Sequence, residues 1–154
     1  MGKTFYDLTV PDYSQPLLAM SGVSLTSNAA KSTISLQPEH VRPALPSPAS
    51  ASRVFDRTDT LVLYTEVYEN VWWTDAAHSI TVTTTLRGTD GAVIPMSSER
   101  RASGTPQLKE GGHPFTASLP LADVRPGLYI LHVEASSDFD KPRSVAQDVQ
   151  IQVR

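Results

Sequence analysis

Histidines and paired carboxylates are the side chains of this sequence that could bind a metal or move protons. The four histidines are His40, His78, His113 and His132, and no two of them have the spacing of a metal-binding motif. We therefore predict no metal site and expect the histidines to lie at the protein surface. The chain contains no cysteine, which excludes thiolate metal ligands, disulfides and a cysteine nucleophile.

Two pairs of carboxylates lie close together in the sequence. Asp138 and Asp140 belong to the segment SSDFDKPRS, but calcium needs about six to eight oxygen ligands, so the segment is predicted to be a solvated hairpin tip. Glu66 and Glu69 are three residues apart in a strand-like run, so they point to opposite faces of a sheet. They are therefore not expected to act together as a general acid and base.

One short motif begins like the nucleophile elbow of a hydrolase. GVSLT, residues 22–26, places Ser24 at its centre, but Thr26 replaces the final glycine and no strand–turn–helix pattern surrounds it. Ser24 is predicted to be an ordinary strand residue. The sequence therefore predicts no catalytic, cofactor-binding or metal-binding residue and no cofactor, and we expect that the chain is not an enzyme.

Both tryptophans of the chain, Trp72 and Trp73, lie side by side in the segment YENVWWTDAAH. Adjacent residues of an extended chain point in opposite directions, so one indole is expected to face the core and the other to face outward. The outward ring needs a neighbouring loop, the N-terminal arm or a ligand against it. Tyr68 and His78 flank the pair, and these four residues are the candidate contacts for a protein partner or a glycan.

The segments that must position these residues have the alternation of β-strands. Along TLVLYTEVYE one face carries Leu61, Leu63, Thr65 and Val67, and HSITVTTTLR alternates Ile80, Val82, Thr84 and Leu86 with polar residues. The runs PFTASLPL, GLYILHVEAS and RSVAQDVQIQVR alternate in the same way. A period of two with β-branched and aromatic residues is typical of half-buried strands.

Two turn signals connect the predicted strands. Asp90-Gly91 is typical of a tight hairpin turn. The segment DVRPG leads directly into Tyr129, which resembles the start of the penultimate strand in immunoglobulin-like and fibronectin-III-like domains. The Tyr129 hydroxyl is expected either to bond to backbone upstream or to lie at the edge of the core. Both readings favour an all-β, antiparallel immunoglobulin-like β-sandwich with an N-terminal extended arm.

A change in composition near residue 50 divides the chain. Residues 1–50 are predicted to form an N-terminal arm with one or two strands and a proline-rich crossing. The crossing is predicted at QPEHVRPALPSPASAS, because its prolines have no backbone N–H to donate to a neighbouring strand. Residues 51–154 are predicted to form the sandwich. The arm is expected either to add strands to it or to pack on a neighbour.

Composition and charge exclude two classes of partner. The net charge is −3 and the sequence has no dense basic cluster, so a nucleic-acid backbone is not the expected partner. No apolar run approaches the roughly 20 residues that span a bilayer, and we expect no membrane span. The first residues lack a signal-peptide core, and the chain is expected to be a piece of a longer one.

The order of several motifs resembles a known bacterial family. LTVPDYSQPLLAMSGVSLTS, SRVFDRTDTLVLYTEVYEN, LRGTDGAVI, LPLADVRPGLYILHVEA and VQIQVR follow one another as in the C-terminal region of von Willebrand factor A-related proteins. There, a β-rich module follows a von Willebrand factor A-like domain. This chain has Thr58-Asp59 where a Gly-Asp turn is usual, and it lacks the metal-binding Asp-x-Ser-x-Ser motif. The resemblance implies an accessory module of an exported protein, periplasmic or secreted.

The expected function is that of a non-catalytic interaction or scaffolding module. Its expected partner is another protein or a neighbouring domain of the same parent chain. The alternative is a carbohydrate-binding module in which Trp72, Trp73 and Tyr68 stack on a glycan.

Overall fold

The computed structural model describes residues 11–28, 45–71, 77–103 and 112–154, and this part of the chain forms β-strands without a helix. These ranges accordingly hold no helix of the length and apolarity that a membrane crossing needs. The described strands are β1 (Leu18–Met20), β2 (Ser24–Ser27), β3 (Val54–Phe55), β4 (Thr60–Glu69), β5 (Ser79–Gly88), β6 (Val93–Ala102), β7 (His113–Pro120), β8 (Gly127–Ser137) and β9 (Arg143–Val153).

The first sheet, sheet A, is built around β4. On one edge β4 pairs with β7 in antiparallel register, from Thr60 opposite Pro120 to Val67 opposite His113. On the other edge it pairs with β1 and then β2, which follow one another along the same side. Between those two short strands Ser21 stays attached to β4, because its N–H donates to the Glu66 carbonyl at 2.9 Å.

The second sheet, sheet B, has the strand order β3-β9-β8-β5-β6. Its pairs are antiparallel except that of β3 with β9, which is parallel. The predicted hairpin turn at Asp90-Gly91 is confirmed: Gly91 has a φ of 82°, and the Gly88 N–H donates to the Ala92 carbonyl at 2.8 Å. A positive φ is a conformation that glycine adopts without steric cost.

The two sheets close over one apolar core, as the alternation predicts. In β8 the inward residues Tyr129, Leu131, Val133 and Ala135 are buried, while the residues between them are at least partly exposed. The inward set of β5 is buried in the same way. A buried leucine such as Leu131 contributes about 1.5–3 kcal/mol through the hydrophobic effect. The predicted all-β, antiparallel β-sandwich is therefore confirmed.

Tyr129 makes the backbone contact that was one of its two expected roles. Its hydroxyl donates to the Arg125 carbonyl at 2.8 Å, across the turn that leads into β8. The ring remains buried at the core edge. This bond fixes the connection between β7 and β8 to the sandwich.

Within the N-terminal part of the chain, residues 18–27 belong to the sandwich. β1 and β2 supply Leu18, Met20 and Leu25 to the core, so the arm adds strands to sheet A. The division of the chain at residue 50 stays a prediction.

The segment 45–50 lies against the outer face of β4. Leu45 packs with Val62 and Tyr64 there, and the Ser50 N–H donates to the Leu25 carbonyl at 2.7 Å. β4 is consequently buried on both faces for most of its length.

Candidate functional site

Tyr68, one of the four candidate contacts, lies half-buried near the end of β4 on the outer face of sheet A. Its ring stacks on the ring of Tyr13, with 5.0 Å between centroids and 3° between planes. Its hydroxyl donates to the Glu66 carboxylate. One face of the ring and the hydroxyl are therefore already in contact with the chain itself.

Glu66 is a buried carboxylate, 7% exposed, that two tyrosines stabilise. Tyr64 donates to Glu66 Oε1 at 2.7 Å, and Tyr68 donates to the other oxygen. Hydrogen bonds to an ionised acceptor are stronger than neutral ones and offset part of the cost of burying the charge. Burial, together with the neighbouring Glu66, raises the pKa of Tyr64 well above its ordinary value.

His78, the second described candidate, is held at the start of β5 by another carboxylate. Its Nε2 lies 2.6 Å from Glu69 Oε2, and its ring packs at a tilt on Phe139 with 5.0 Å between centroids. The Ser137 hydroxyl donates to the other oxygen of Glu69. Glu69 thus links the end of β4 to sheet B.

Tyr68 and His78 contact different carboxylates. Tyr68 contacts Glu66 on the outer face of sheet A, whereas His78 contacts Glu69, which faces sheet B. The prediction that Glu66 and Glu69 point to opposite faces is therefore confirmed. Trp72 and Trp73 lie outside the described residues, so their part in a contact patch stays a prediction.

The expectation that the histidines lie at the surface is wrong for His113, which is 1% exposed. His113 begins β7 opposite Val67, and this pairing turns its side chain toward the core. Burial lowers the pKa of His113, and the charges of Arg101 and His78 also lower it, while Glu69 opposes them.

For two other histidines, the expectation of a surface position has different outcomes. The His78 side chain is only 7% exposed, so it does not lie at the surface as expected. His132 lies on the outer face of sheet B, with its Nδ1 2.6 Å from Asp148 Oδ1. His40 lies outside the described residues.

The polar groups around Glu69 form a structural link. The Ser137 hydroxyl donates to the carboxylate and the imidazole of His78 contacts the same carboxylate, so the order is serine–glutamate–histidine. Nucleophilic activation of a serine instead places the imidazole between the serine and the acid. In the described part of the chain, no three His, Asp or Glu side chains form a group that could hold a metal ion.

The apolar residues exposed on sheet B were not found from the sequence. Among the described residues, the large hydrophobic side chains that are exposed are those of Val54, Val93 and Leu128, at 41%, 58% and 47%. Val54 and Leu128 flank Gln152 in one row across sheet B. Val93 stands with Arg87 and Ile130 in the adjacent row.

Val54, Val93, Leu128 and Ile130 therefore share one end of the outer face of sheet B, and we call them the end patch. Residues opposite one another in a ladder, or two apart in a strand, project on the same side. Half of this patch has a local signal in the sequence. Leu128 and Ile130 belong to the outward-facing set of β8, which continues with the polar residues His132 and Glu134.

A cleft of about 310 Å³ opens within the end patch. Its lining residues come from β5, β8, β9 and the turn after β5, and they are Arg87, Gly88, Thr89, Leu128, Tyr129, Ile130 and Gln150. The described arginines that form ion pairs are Arg100, Arg101, Arg143 and Arg154, and Arg87 is not among them.

Comparison with known proteins assigns no role to this chain, so the geometry of its structure is the basis for proposing one. No model of a known protein family matches the chain, and no curated protein sequence matches it. The resemblance to the C-terminal region of von Willebrand factor A-related proteins stays a prediction from its motifs.

Proposed function

We propose that this chain is a non-catalytic interaction or scaffolding module that binds a protein through the end patch. The observation that carries the proposal is the position of Val54, Val93 and Leu128, which all lie at one end of the outer face of sheet B, with Gln152 and Arg87 between them. Single exposed apolar residues are ordinary on protein surfaces, whereas several at one end of a single face favour an interaction site.

The two outer faces of the sandwich differ in a way that supports this assignment. Leu45 and Ala49 pack on the outer face of sheet A, and Tyr13 stacks on Tyr68 there. Over the outer face of sheet B, the described residues provide no comparable layer beyond the turns that join its own strands. Within the described residues, the outer face of sheet B is therefore the more accessible of the two faces to a partner.

The wider context that we propose is an immunoglobulin-like or fibronectin-III-like module of a larger, exported bacterial protein. The Tyr129–Arg125 hydrogen bond supports the first part, because such a bond occurs at the corresponding corner of those domains. The motif resemblance to von Willebrand factor A-related proteins supports the second part. The partner would then be a protein, either a neighbouring domain of the parent chain or a chain exported with it.

Two substitutions on β8 test the proposed function. Leu128→Asp places a charge in the end patch, and Ser136→Asp places the same charge on the same face at the far end of the strand. We expect that Leu128→Asp prevents the parent protein from being isolated with its native partner and that Ser136→Asp does not. Both variants should keep the circular dichroism of the sandwich, because both positions are at least partly exposed.

A footprinting experiment makes the same test without substitution. Hydroxyl radicals should oxidise Leu128 and Val93 rapidly in the purified chain and at least threefold more slowly in the native assembly. Phe139, at the other end of sheet B, should react at similar rates in both. Equal oxidation of Leu128 in the two samples would show that the end patch is not an interface.

A further inference from the structure

The cleft within the end patch combines an apolar wall with polar groups on one side. The side chains of Leu128 and Ile130 supply the apolar wall, and Arg87, Thr89 and Gln150 supply hydrogen-bond donors. Binding sites commonly have this composition, in which apolar contacts give affinity and a few polar groups fix orientation.

The charge of the cleft selects the kind of group that fits it. None of its seven lining residues is acidic, and Arg87 is its one cationic residue. The guanidinium forms no ion pair with any other residue that the structure describes, so its charge is open to an incoming anion. Arginine binds carboxylates well, because its planar donors match the two carboxylate oxygens.

Gly88 holds the β5–β6 turn in place directly after Arg87. A Cβ atom at this position would lie 2.5 Å from Asp90 Oδ1 and 3.5 Å from the ring of Tyr129. Asp90 Oδ1 accepts the Ala92 N–H at 3.0 Å, so displacing it would disturb the β5–β6 turn. The position of the turn beside Arg87 thus depends on this glycine.

We propose that Arg87 binds an aspartate or glutamate side chain of the protein partner, while an adjacent apolar residue of that partner packs on Leu128 and Ile130. The inference rests on the proposed function, because it names the chemistry of the partner at the same surface. An exposed arginine–carboxylate pair is worth about 0.2–1 kcal/mol, which corresponds to a preference of roughly 1.4- to 5-fold.

Two peptides that differ in one group test the inference. Acetyl-Gly-Leu-Phe-Glu-Gly-amide and its glutamine counterpart are titrated into the whole chain, and the methyl signals of Leu128 and Ile130 are followed by NMR. We expect the glutamate peptide to bind about two- to fivefold more tightly at low salt and the preference to disappear in 0.5 M salt, where the Debye length is only about 4 Å.

Substitutions identify the cation responsible. Arg87→Gln should abolish the preference for the glutamate peptide, whereas Arg100→Gln, which removes a charge from the opposite end of β6, should leave it intact. Equal affinity of the two peptides, a preference that survives Arg87→Gln, or an absence of cleft shifts would overturn the inference. Loss of the native partner in Leu128→Asp, together with a glutamate preference that survives Arg87→Gln, would overturn this inference and leave the proposed function standing.

Discussion

The Glu69 carboxylate lies 2.6 Å from the imidazole of His78, and the two side chains are only 4% and 7% exposed. The same carboxylate accepts the Ser137 hydroxyl of β8. One side chain of sheet A therefore connects the start of β5 and the end of β8, both in sheet B. This connection fixes the end of the sandwich at which β4 ends and β5 begins.

Removing the carboxylate of Glu69 should destabilise the protein strongly. Glu69→Ala leaves His78 and Ser137 without their shared acceptor, and removing the acceptor of a buried donor costs about 1–3 kcal/mol per donor. Urea denaturation followed by circular dichroism measures the loss. Glu69→Gln keeps one acceptor oxygen and should lose less. A change below 1 kcal/mol for Glu69→Ala would show that this link contributes little.

Stability should fall under mildly acidic conditions because of His113. Burial lowers the pKa of His113 below its ordinary value of 6.5, so the unfolded chain binds a proton more readily than the folded one. The stabilisation is complete above pH 6.5 and is lost as the pH falls from there through the lowered pKa of the folded state. Urea midpoints between pH 7.5 and 5 measure the slope.

The control for this pH dependence is His113→Leu, which removes the titrating group and should flatten the slope. An NMR titration supplies the direct check. The ring signal of His113 in the folded protein should titrate below pH 6.5, and a signal that titrates at or above pH 6.5 would contradict the prediction.

Stability should also fall at high pH because of Tyr64. Its pKa is raised by burial and by Glu66, so the unfolded chain releases a proton before the folded one does. The stabilisation is present below the ordinary pKa of 10.0 and is lost as the pH rises above that value toward the raised pKa. Denaturation at pH 9 and pH 11 measures the difference.

Tyr64→Phe removes the ionising hydroxyl and should reduce this alkaline loss. At neutral pH the same variant should be about 1–3 kcal/mol less stable, because Glu66 loses a buried donor. An unchanged alkaline slope in Tyr64→Phe would assign the loss to other groups.

The hydrogen bond of Tyr129 should contribute measurably to stability. Tyr129→Phe keeps the buried ring and leaves the Arg125 carbonyl without this donor, at a cost of about 0.5–1.5 kcal/mol. The neighbouring exposed position gives the comparison, since Leu128→Ala should change stability by less than about 0.5 kcal/mol. Thermal unfolding of both variants measures the two effects, and equal changes would argue against the bond.

Several of the strands predicted from the sequence have one buried face, whereas β4, which was also predicted, is buried on both faces. β5, β8 and β9 alternate strictly because their other face meets water, and their inward residues follow from period alone. β6 was not predicted as a separate strand, because Pro95 and charged residues obscure its alternation. Its position comes from the hairpin that pairs it with β5.

The candidate site was less predictable because it depends on contacts between distant segments. Val54 joins Leu128 only through the parallel pairing of β3 with β9. His113 is buried only because β7 begins opposite Val67. Neither pairing has a local signal in the sequence. Tyr68 and His78 were named because they are near the tryptophans in the sequence, and in the structure they contact different carboxylates, Glu66 and Glu69.

The pairing of β4 has a consequence for how fast the protein reaches this structure. Leu63 lies between Leu25, contributed by the first part of the chain, and Ala117, which arrives much later in the sequence. Both contacts join segments that are far apart in the sequence. A long loop must therefore close, at a cost in chain entropy, before either contact can stabilise the structure. Folding should accordingly occur in milliseconds to seconds, and newly synthesised chains should expose the edge of β4 that pairs with β7 until residues beyond Ala117 have left the ribosome.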